Sequence, residues 1–386
     1  MNKPSSERIV VGLSGGVDSA VAALLLRDRG MDVIGLFMKN WEEDDDEQYC
    51  AAAADLEQAR AVCGHLDIPL HTVNFSSEYW DRVFHHFLVE YRAGRTPNPD
   101  VLCNREIKFS AFIEQAAALG ATRIATGHYA RLRHDDRGHH LLKARDESKD
   151  QTYFLHLLDQ RALSRTVFPL ADLQKPQVRR IAREAGLPNH ARKDSTGICF
   201  IGERRFAEFL GRFLDDVPGQ IVSVDGEILG RHRGLAFYTI GQRQGLGVGG
   251  RGAAWYVAGK DLAGNRLVVA QGADHPALFS PGLVSVGMHW ILGAPPGRQF
   301  RCTARIRHRQ APQECTVTLD GAHGATVVFS ALQRAVTPGQ SVVLYRGEEC
   351  VGGGVIEGPL RAADDALAAS SGIGAQRQAA RQRSEG

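Results

Sequence analysis

Residues Gly12-Leu13-Ser14-Gly15-Gly16-Val17-Asp18-Ser19 follow the apolar run Ile9-Val10-Val11 and precede a run of helix formers at 20–29. Strand, glycine turn and helix in that order constrain the start of the chain to a β-α unit. The first turn of a helix leaves backbone N–H groups without intrahelical partners and carries the positive end of the helix dipole. Gly15 and Gly16 lack the Cβ atoms that would keep a ligand from the backbone, and Ser14 and Ser19 add hydroxyl donors. The turn is therefore built to hold phosphate. No lysine follows the glycines, so the segment is not a G-x-x-x-x-G-K-[ST] loop, and the nucleotide must be handled in another way.

The region that follows alternates in character. Apolar runs at 9–11, 33–38, 71–75 and 123–126 read as short strands, and patterns at 20–29, 51–66 and 107–119 read as helices. This βαβα order predicts an α/β domain with a Rossmann-like parallel sheet covered on both faces. Ligands in such sheets sit beyond the carboxyl ends of the strands, so Gly127-His128-Tyr129 is expected to share a crevice with the glycine loop. Helical patterns at 175–185 and 204–213 precede Asp216-Val217-Pro218-Gly219, where strand-like runs take over at 220–224, 254–258, 267–270, 283–286, 300–308, 314–319, 325–329 and 341–345. The expected division is a catalytic domain at 1–213, a small linking domain at 214–280, a C-terminal β-barrel at 281–360 and a disordered tail at 361–386 rich in Ala, Ser, Gln and Arg.

A chain of 386 residues with 43% hydrophobic and 23% charged residues is ordinary for a soluble globular protein. It has no apolar stretch near the roughly 20 residues that span a bilayer. The first residues lack the apolar core of a signal peptide. These features predict a cytoplasmic protein with no membrane partner. Seven cysteines without a C-x-x-C pair suggest neither a disulfide framework nor a zinc site. The net charge of +2 says little about polyanions, but its distribution says more. Positions 42–47 are six consecutive acids, an exposed loop rather than a metal site. Positions 298–309 hold five arginines and no acid.

Two cysteine segments carry chemical interest. In Thr96-Pro97-Asn98-Pro99-Asp100-Val101-Leu102-Cys103 the prolines stiffen a loop, and Asp100 is a good N-cap. Cys103 would then be the third helical residue, where the helix dipole favours thiolate and Asp100 opposes it. In Lys193-Asp194-Ser195-Thr196-Gly197-Ile198-Cys199-Phe200 small polar residues predict a loop, with Lys193, Arg204 and Arg205 able to stabilise a thiolate or persulfide. Each cysteine can also be read as an inert packing residue. A crevice that joins the two loops would suit a persulfide-bearing thiol and a resolving thiol. Cysteines 50, 63, 302, 315 and 350 lie on apolar patterns and read as packing. On a strand, Arg301, Arg305, Arg307 and Arg309 share one parity and would form a basic face. That face either is simply solvated or contacts phosphates.

Taken together, Gly12–Ser19, Phe37-Met38-Lys39-Asn40-Trp41-Glu42-Glu43-Asp44-Asp45, Gly94-Arg95-Thr96-Pro97-Asn98-Pro99-Asp100, Leu102-Cys103-Asn104, Ala125-Thr126-Gly127-His128-Tyr129, Lys149-Asp150-Gln151, Asp194–Gly202, Gly241-Gln242-Arg243 and Thr337-Pro338-Gly339-Gln340 resemble the bacterial tRNA-specific 2-thiouridylases, the MnmA family. The resemblance covers residues 8–360. It implies an N-terminal domain of the adenine nucleotide α-hydrolase type, ATP as cosubstrate with Mg²⁺, and the anticodon stem-loop of tRNA as partner. It also implies sulfur supplied by a persulfide donor protein. Gly12, Leu13, Ser14, Gly15, Gly16, Val17, Asp18, Ser19, Met38 and Gly127 match nucleotide-binding positions. Cys103 matches the nucleophile, Cys199 the persulfide carrier, with a transient disulfide between them, and Asp100 is expected to move protons on the base. Asn98, Pro99 and Asp100 match contacts to the target base. His128, Lys149, Asp150, Gln151, Arg307, His308 and Gln340 match tRNA contacts, with His308 standing where relatives often have an aromatic. Two other functions use fewer of these parts. An ammonia-using ATP pyrophosphatase needs only the glycine loop, and a non-catalytic tRNA-binding module needs only the arginines.

Overall fold

In the computed structural model, which describes residues 7–41, 51–194 and 206–360, the chain begins with strand β1 (Arg8–Leu13) and helix Val17–Asp28. Strands β2 (Asp32–Lys39), β3 (Leu70–Asn74) and β4 (Arg123–Ala125) follow, then a hairpin of β5 (Ala130–Asp135) and β6 (Gly138–Lys143), then β7 (Thr166–Val167). Strands β3-β2-β1-β4-β7 form one sheet in that order, and all its pairings are parallel. Successive residues of β1 face opposite sides of the sheet. Ile9, Val11 and Leu13 enter a core with helix Val17–Asp28 and helix Lys175–Glu184, whereas Val10 enters a second core with Phe112, Tyr153 and Leu158. Both faces are covered, which is why β1 reads as an unbroken apolar run.

The linking domain is a sheet of β8 (Gly219–Ser223), β9 (Ile228–His232), β10 (Trp255–Asp261) and β11 (Arg266–Gln271), ordered β10-β11-β8-β9. The last domain contains β12 (Phe279–Trp290), β13 (Gln299–Arg305), β14 (Gln313–Asp320), β15 (Gly324–Arg334), β16 (Ser341–Arg346) and β17 (Glu349–Pro359). Pairing runs β12-β15-β14-β13-β16-β17 and closes through β12–β17, giving a six-stranded barrel.

Several details depart from the sequence pattern. The first helix starts at Val17 rather than residue 20, with Gly16 as its N-cap. The predicted helix at 107–119 is a π-helical stretch, Asn104–Ala111, followed by α-helix Phe112–Ala118. The hairpin β5–β6 has no counterpart among the expected elements. It joins the barrel's sheet through β6–β17, with Leu142 opposite Glu349 and Leu141 opposite Cys350. As a result Tyr345, Cys350, Val343 and Ile291 of the C-terminal domain share the core that contains Val10 and Phe112. Strand β13 stops at Arg305 instead of running to 308, and residues 306–312 form a turn. The single basic face is therefore absent: Arg301 is exposed, Arg305 is buried, and Arg307 and Arg309 lie beyond the strand. The acid run at 42–47 and the tail at 361–386 lie outside the described residues. No helix among the described residues is long and apolar enough to cross a membrane.

Candidate functional site

The glycine loop leaves the carboxyl end of β1 and enters helix Val17–Asp28. Gly15 has φ +72, a left-handed conformation that favours glycine. A Cβ there would lie 2.6 Å from the Asp55 carbonyl oxygen. The loop is closed by its own serines: Ser14 N–H donates to Ser19 Oγ (3.2 Å), and Ser19 Oγ donates to the Gly16 carbonyl (3.1 Å). Asn189 Nδ2 and Arg192 Nη1 donate to the Gly15 carbonyl at 2.9 and 3.2 Å, and Arg192 also pairs with Asp55. Gly127, just beyond β4, packs so closely that a Cβ would sit 2.7 Å from Ser19 N. The helix start and the end of β4 thus share one crevice wall.

A lysine from a distant helix reaches the start of the loop helix. Lys175 opens helix Lys175–Glu184, and its Nζ donates to both Asp18 oxygens at 2.8 Å. The Tyr129 hydroxyl donates to the same carboxylate at 2.9 Å. Burial and the Asp18 charge push the Tyr129 hydroxyl far above its ordinary pKa, so it remains a donor. Asp194 receives Lys149 Nζ (2.8 Å), Lys175 Nζ (2.8 Å) and Arg179 Nη2 (2.5 Å). Burial opposes ionisation of Asp194, but hydrogen bonds from Lys149 and Lys175 outweigh it and hold the carboxyl well below its usual range. Asp146 joins the cluster by accepting the Lys175 N–H at 2.8 Å, so three cations and three carboxylates stand beside the helix start as one charge network.

The thiol segment forms helix Pro99–Cys103. Its N-cap is Asn98, not Asp100: Asn98 Oδ1 accepts the Asp100 N–H at 3.1 Å, with Pro99 at the first helical position. Cys103 is consequently the fifth helical residue, beyond the first turn, and helical backbone continues past it, so the expected stabilisation by the helix start is weakened. The residue is fully buried and leads directly into the π-helical stretch, a backbone irregularity that is frequent at functional sites. Met38 joins this region to the glycine loop. It packs against the core cluster containing Cys103, and its Cε lies 3.4 Å from where a Cβ on Gly12 would be. Cys199 lies outside the described residues.

The approach to this helix is fixed from both other domains. Arg95 pairs with Glu90 through two hydrogen bonds of 2.6 and 2.5 Å. Lys260 Nζ, from the linking domain, donates to the Gly94 carbonyl at 2.8 Å, and burial pushes that ammonium down to about 8. From the barrel, Gln340 Nε2 donates to the Thr96 carbonyl (2.7 Å), and Thr96 N–H donates to the Pro338 carbonyl (2.9 Å). A Cβ on Gly339 would lie 2.9 Å from Thr96 backbone atoms.

The other expected RNA-contact residues are spread around this junction. His128 accepts or donates at 2.8 Å to Thr126 Oγ1 and lies beside the rings of Phe109 and Phe168. Burial, then Lys108, push its imidazole down to about 3. Gln151 Oε1 accepts the Tyr129 N–H at 2.9 Å. Asp150 is buried and committed to protein partners, receiving Arg305 Nη1 at 3.0 Å, Thr152 Oγ1 at 2.9 and 3.0 Å, and Ala144 N–H at 3.2 Å. Arg307 is exposed and reaches the Ala335 and Ile240 carbonyls at 3.1 and 3.3 Å. His308 packs on Phe154 in a tilted arrangement, with ring centroids 4.4 Å apart. Lys175, Asn189, Arg192 and Lys260 carry no local sequence signal, since only the folded chain brings them to the two loops.

A nucleotide-type parallel sheet with a phosphate loop, a linking sheet and a closed six-stranded barrel defines a HUP-domain protein with two β modules. Residues 7–203 match the tRNA methyl transferase HUP domain, 207–271 the tRNA methyl transferase PRC-barrel domain, and 281–356 the aminomethyltransferase beta-barrel domain. The chain is 57% identical over 362 residues to the tRNA-specific 2-thiouridylase MnmA of Marinobacter nauticus, covering 92% of each chain. It is 58% identical to that of Hahella chejuensis (92% of this chain, 99% of the other) and 55% identical to that of Psychromonas ingrahamii (94% and 100%). The chain belongs to the tRNA-specific 2-thiouridylase family.

Proposed function

We propose that this protein thiolates the C2 position of the wobble uridine in tRNA, using ATP to activate the base and a cysteine persulfide as sulfur source. The observation that carries the reading is the placement of Met38. It spans from the glycine loop's strand to the cluster holding Cys103, so a nucleotide on the loop and a base near the thiol segment would meet across it.

The glycine loop's amides, with Lys175 close by, receive the β- and γ-phosphates and take up the charge of departing pyrophosphate. Gly15 and Gly127 let the loop and the end of β4 pack directly on the backbones of Asp55 and Ser19, which fixes the shape of the loop that would receive the phosphates. Asp18, in the first turn of the loop helix, would hold Mg²⁺ in exchange for the Lys175 ammonium that its carboxylate now accepts. Asn98, Pro99 and Asp100 face the target uridine, which lies in a single-stranded loop where extrusion costs least. Attack of the uridine C2 oxygen on the α-phosphate gives an adenylated base and pyrophosphate. Cys199 persulfide then adds its terminal sulfur to C2, and AMP leaves. Cys103 attacks the inner sulfur as the S–S bond of the persulfide breaks, which leaves a Cys103–Cys199 disulfide to be reduced by an external thiol. Arg307, His308, Lys149 and Gln340 ring the approach and suit the phosphates and bases of an anticodon arm.

The test is a Cys199→Ser variant assayed with ATP, tRNA and a persulfide donor. It should bind ATP and tRNA as the parent does and form no 2-thiouridine. A normal rate of thiolation by this variant would overturn the relay.

A further inference from the structure

The two cysteines of the barrel that read as packing residues stand directly opposite each other. Cys302 on β13 pairs in register with Cys315 on β14, and their Sγ atoms are 3.6 Å apart. Residues opposite each other in antiparallel strands have Cα atoms roughly 4.5 or 5.5 Å apart. Both separations fall inside the window of roughly 4.4–6.8 Å that a disulfide spans. Cys315 is buried, whereas Cys302 is partly buried and packs on the edge of the same core, which makes it the less enclosed member of the pair. We propose that Cys302 and Cys315 form an oxidisable dithiol, a modification site outside the thiolation centre, whose oxidant is hydrogen peroxide.

The hydrogen bond from Cys315, against the effect of burial, and the nearby Arg346 draw the Cys302 thiol below its ordinary pKa, while Cys315 is driven up and stays protonated. This asymmetry assigns the order of events. Cys302 thiolate attacks the peroxide oxygen, the O–O bond breaks, and Cys302 becomes a sulfenic acid as hydroxide leaves. Cys315 sulfur then attacks the Cys302 sulfur, the S–O bond breaks, and the Cys315 proton leaves with the hydroxyl as water. Two thiols are oxidised to one disulfide while one peroxide is reduced to two waters. The bridge ties β13 to β14 at the base of the turn that carries Arg307 and His308. A reducing compartment returns the pair to thiols, as expected of a reversible rather than structural disulfide.

The test is peptide mapping of the reduced full-length chain after treatment with hydrogen peroxide, digested without reductant. A cross-linked peptide joining Cys302 to Cys315 should form, disappear with dithiothreitol, and be absent from a Cys302→Ser variant. Recovery of Cys302 as sulfinic acid with Cys315 still a thiol would overturn the proposal, as would both remaining thiols while other cysteines of the chain oxidise.

Discussion

Lys175 Nζ contacts both carboxylate oxygens of Asp18 at 2.8 Å, although the two residues are 157 positions apart in the chain. The pair places a lysine ammonium beside a glycine loop whose own sequence carries none. Charge-assisted hydrogen bonds of this kind are worth roughly 1.5–3 kcal/mol. Lys175→Met should therefore raise the KM for ATP by about 10- to 100-fold at saturating tRNA, as read by AMP release. An unchanged KM would remove Lys175 from the phosphate site.

Gly15 and Gly127 are constrained by different neighbours. Gly15→Ala imposes a left-handed φ on alanine and brings its Cβ to 2.6 Å from the Asp55 carbonyl, and Gly127→Ala drives a Cβ into the first turn of the loop helix. Strain of this kind costs on the order of 1–3 kcal/mol. Both variants should keep the far-ultraviolet circular dichroism of the parent and lose ATP binding by calorimetry. Parent-like affinity in either would contradict the close approach.

Arg305 and Asp150 form an ion pair whose side chains are 9% and 0% exposed. Removing one partner strands a buried charge, at a cost of about 3–5 kcal/mol. Arg305→Ala should lower the urea midpoint accordingly, with the barrel and the hairpin-bearing domain affected together because they share one core. A loss below about 1 kcal/mol would show that the pair is solvated. Defects in tRNA binding on changing Asp150 should accordingly follow loss of stability.

His156 is buried, and burial pushes its imidazole down to about 4 from 6.5, even though its Nδ1 contacts the Tyr153 carbonyl at 2.8 Å. His128 is depressed further, to about 3. The unfolded chain binds protons at these positions below pH 6.5 that the folded chain refuses, so stability is full above pH 6.5 and falls as pH drops towards 4. His156 alone should contribute about 1.4 kcal/mol per pH unit in that window. Urea midpoints measured from pH 7.5 to 5 should decline, less steeply for His156→Gln. A midpoint rising on acidification would reverse the sign of the account.

The sequence showed the parallel sheet because its strands are short apolar runs between helical patterns. The glycine loop showed where phosphate could sit because its chemistry is local. Asp100 is expected as the cap and Asn98 is the cap found, because both are good N-cap residues and only the backbone shows which one accepts the N–H. The arginine stripe failed for a related reason. Parity holds only while a strand continues, and β13 ends at Arg305, which the buried Asp150 draws inward. The β5–β6 hairpin was missed since its polar alternation is weak and its pairing partner, β17, lies some 200 residues away, with Leu141 opposite Cys350. Lys175 and Lys260 act across similar separations, and no local pattern announces them.

The most direct measurement is the fate of tRNA incubated with purified protein, ATP and a persulfide donor, then digested to nucleosides. The account predicts 2-thiouridine at the wobble position, formed only with ATP and matched by equal AMP and pyrophosphate, and lost in Cys103→Ser. Absence of 2-thiouridine with the parent chain, or its formation without ATP, would contradict it.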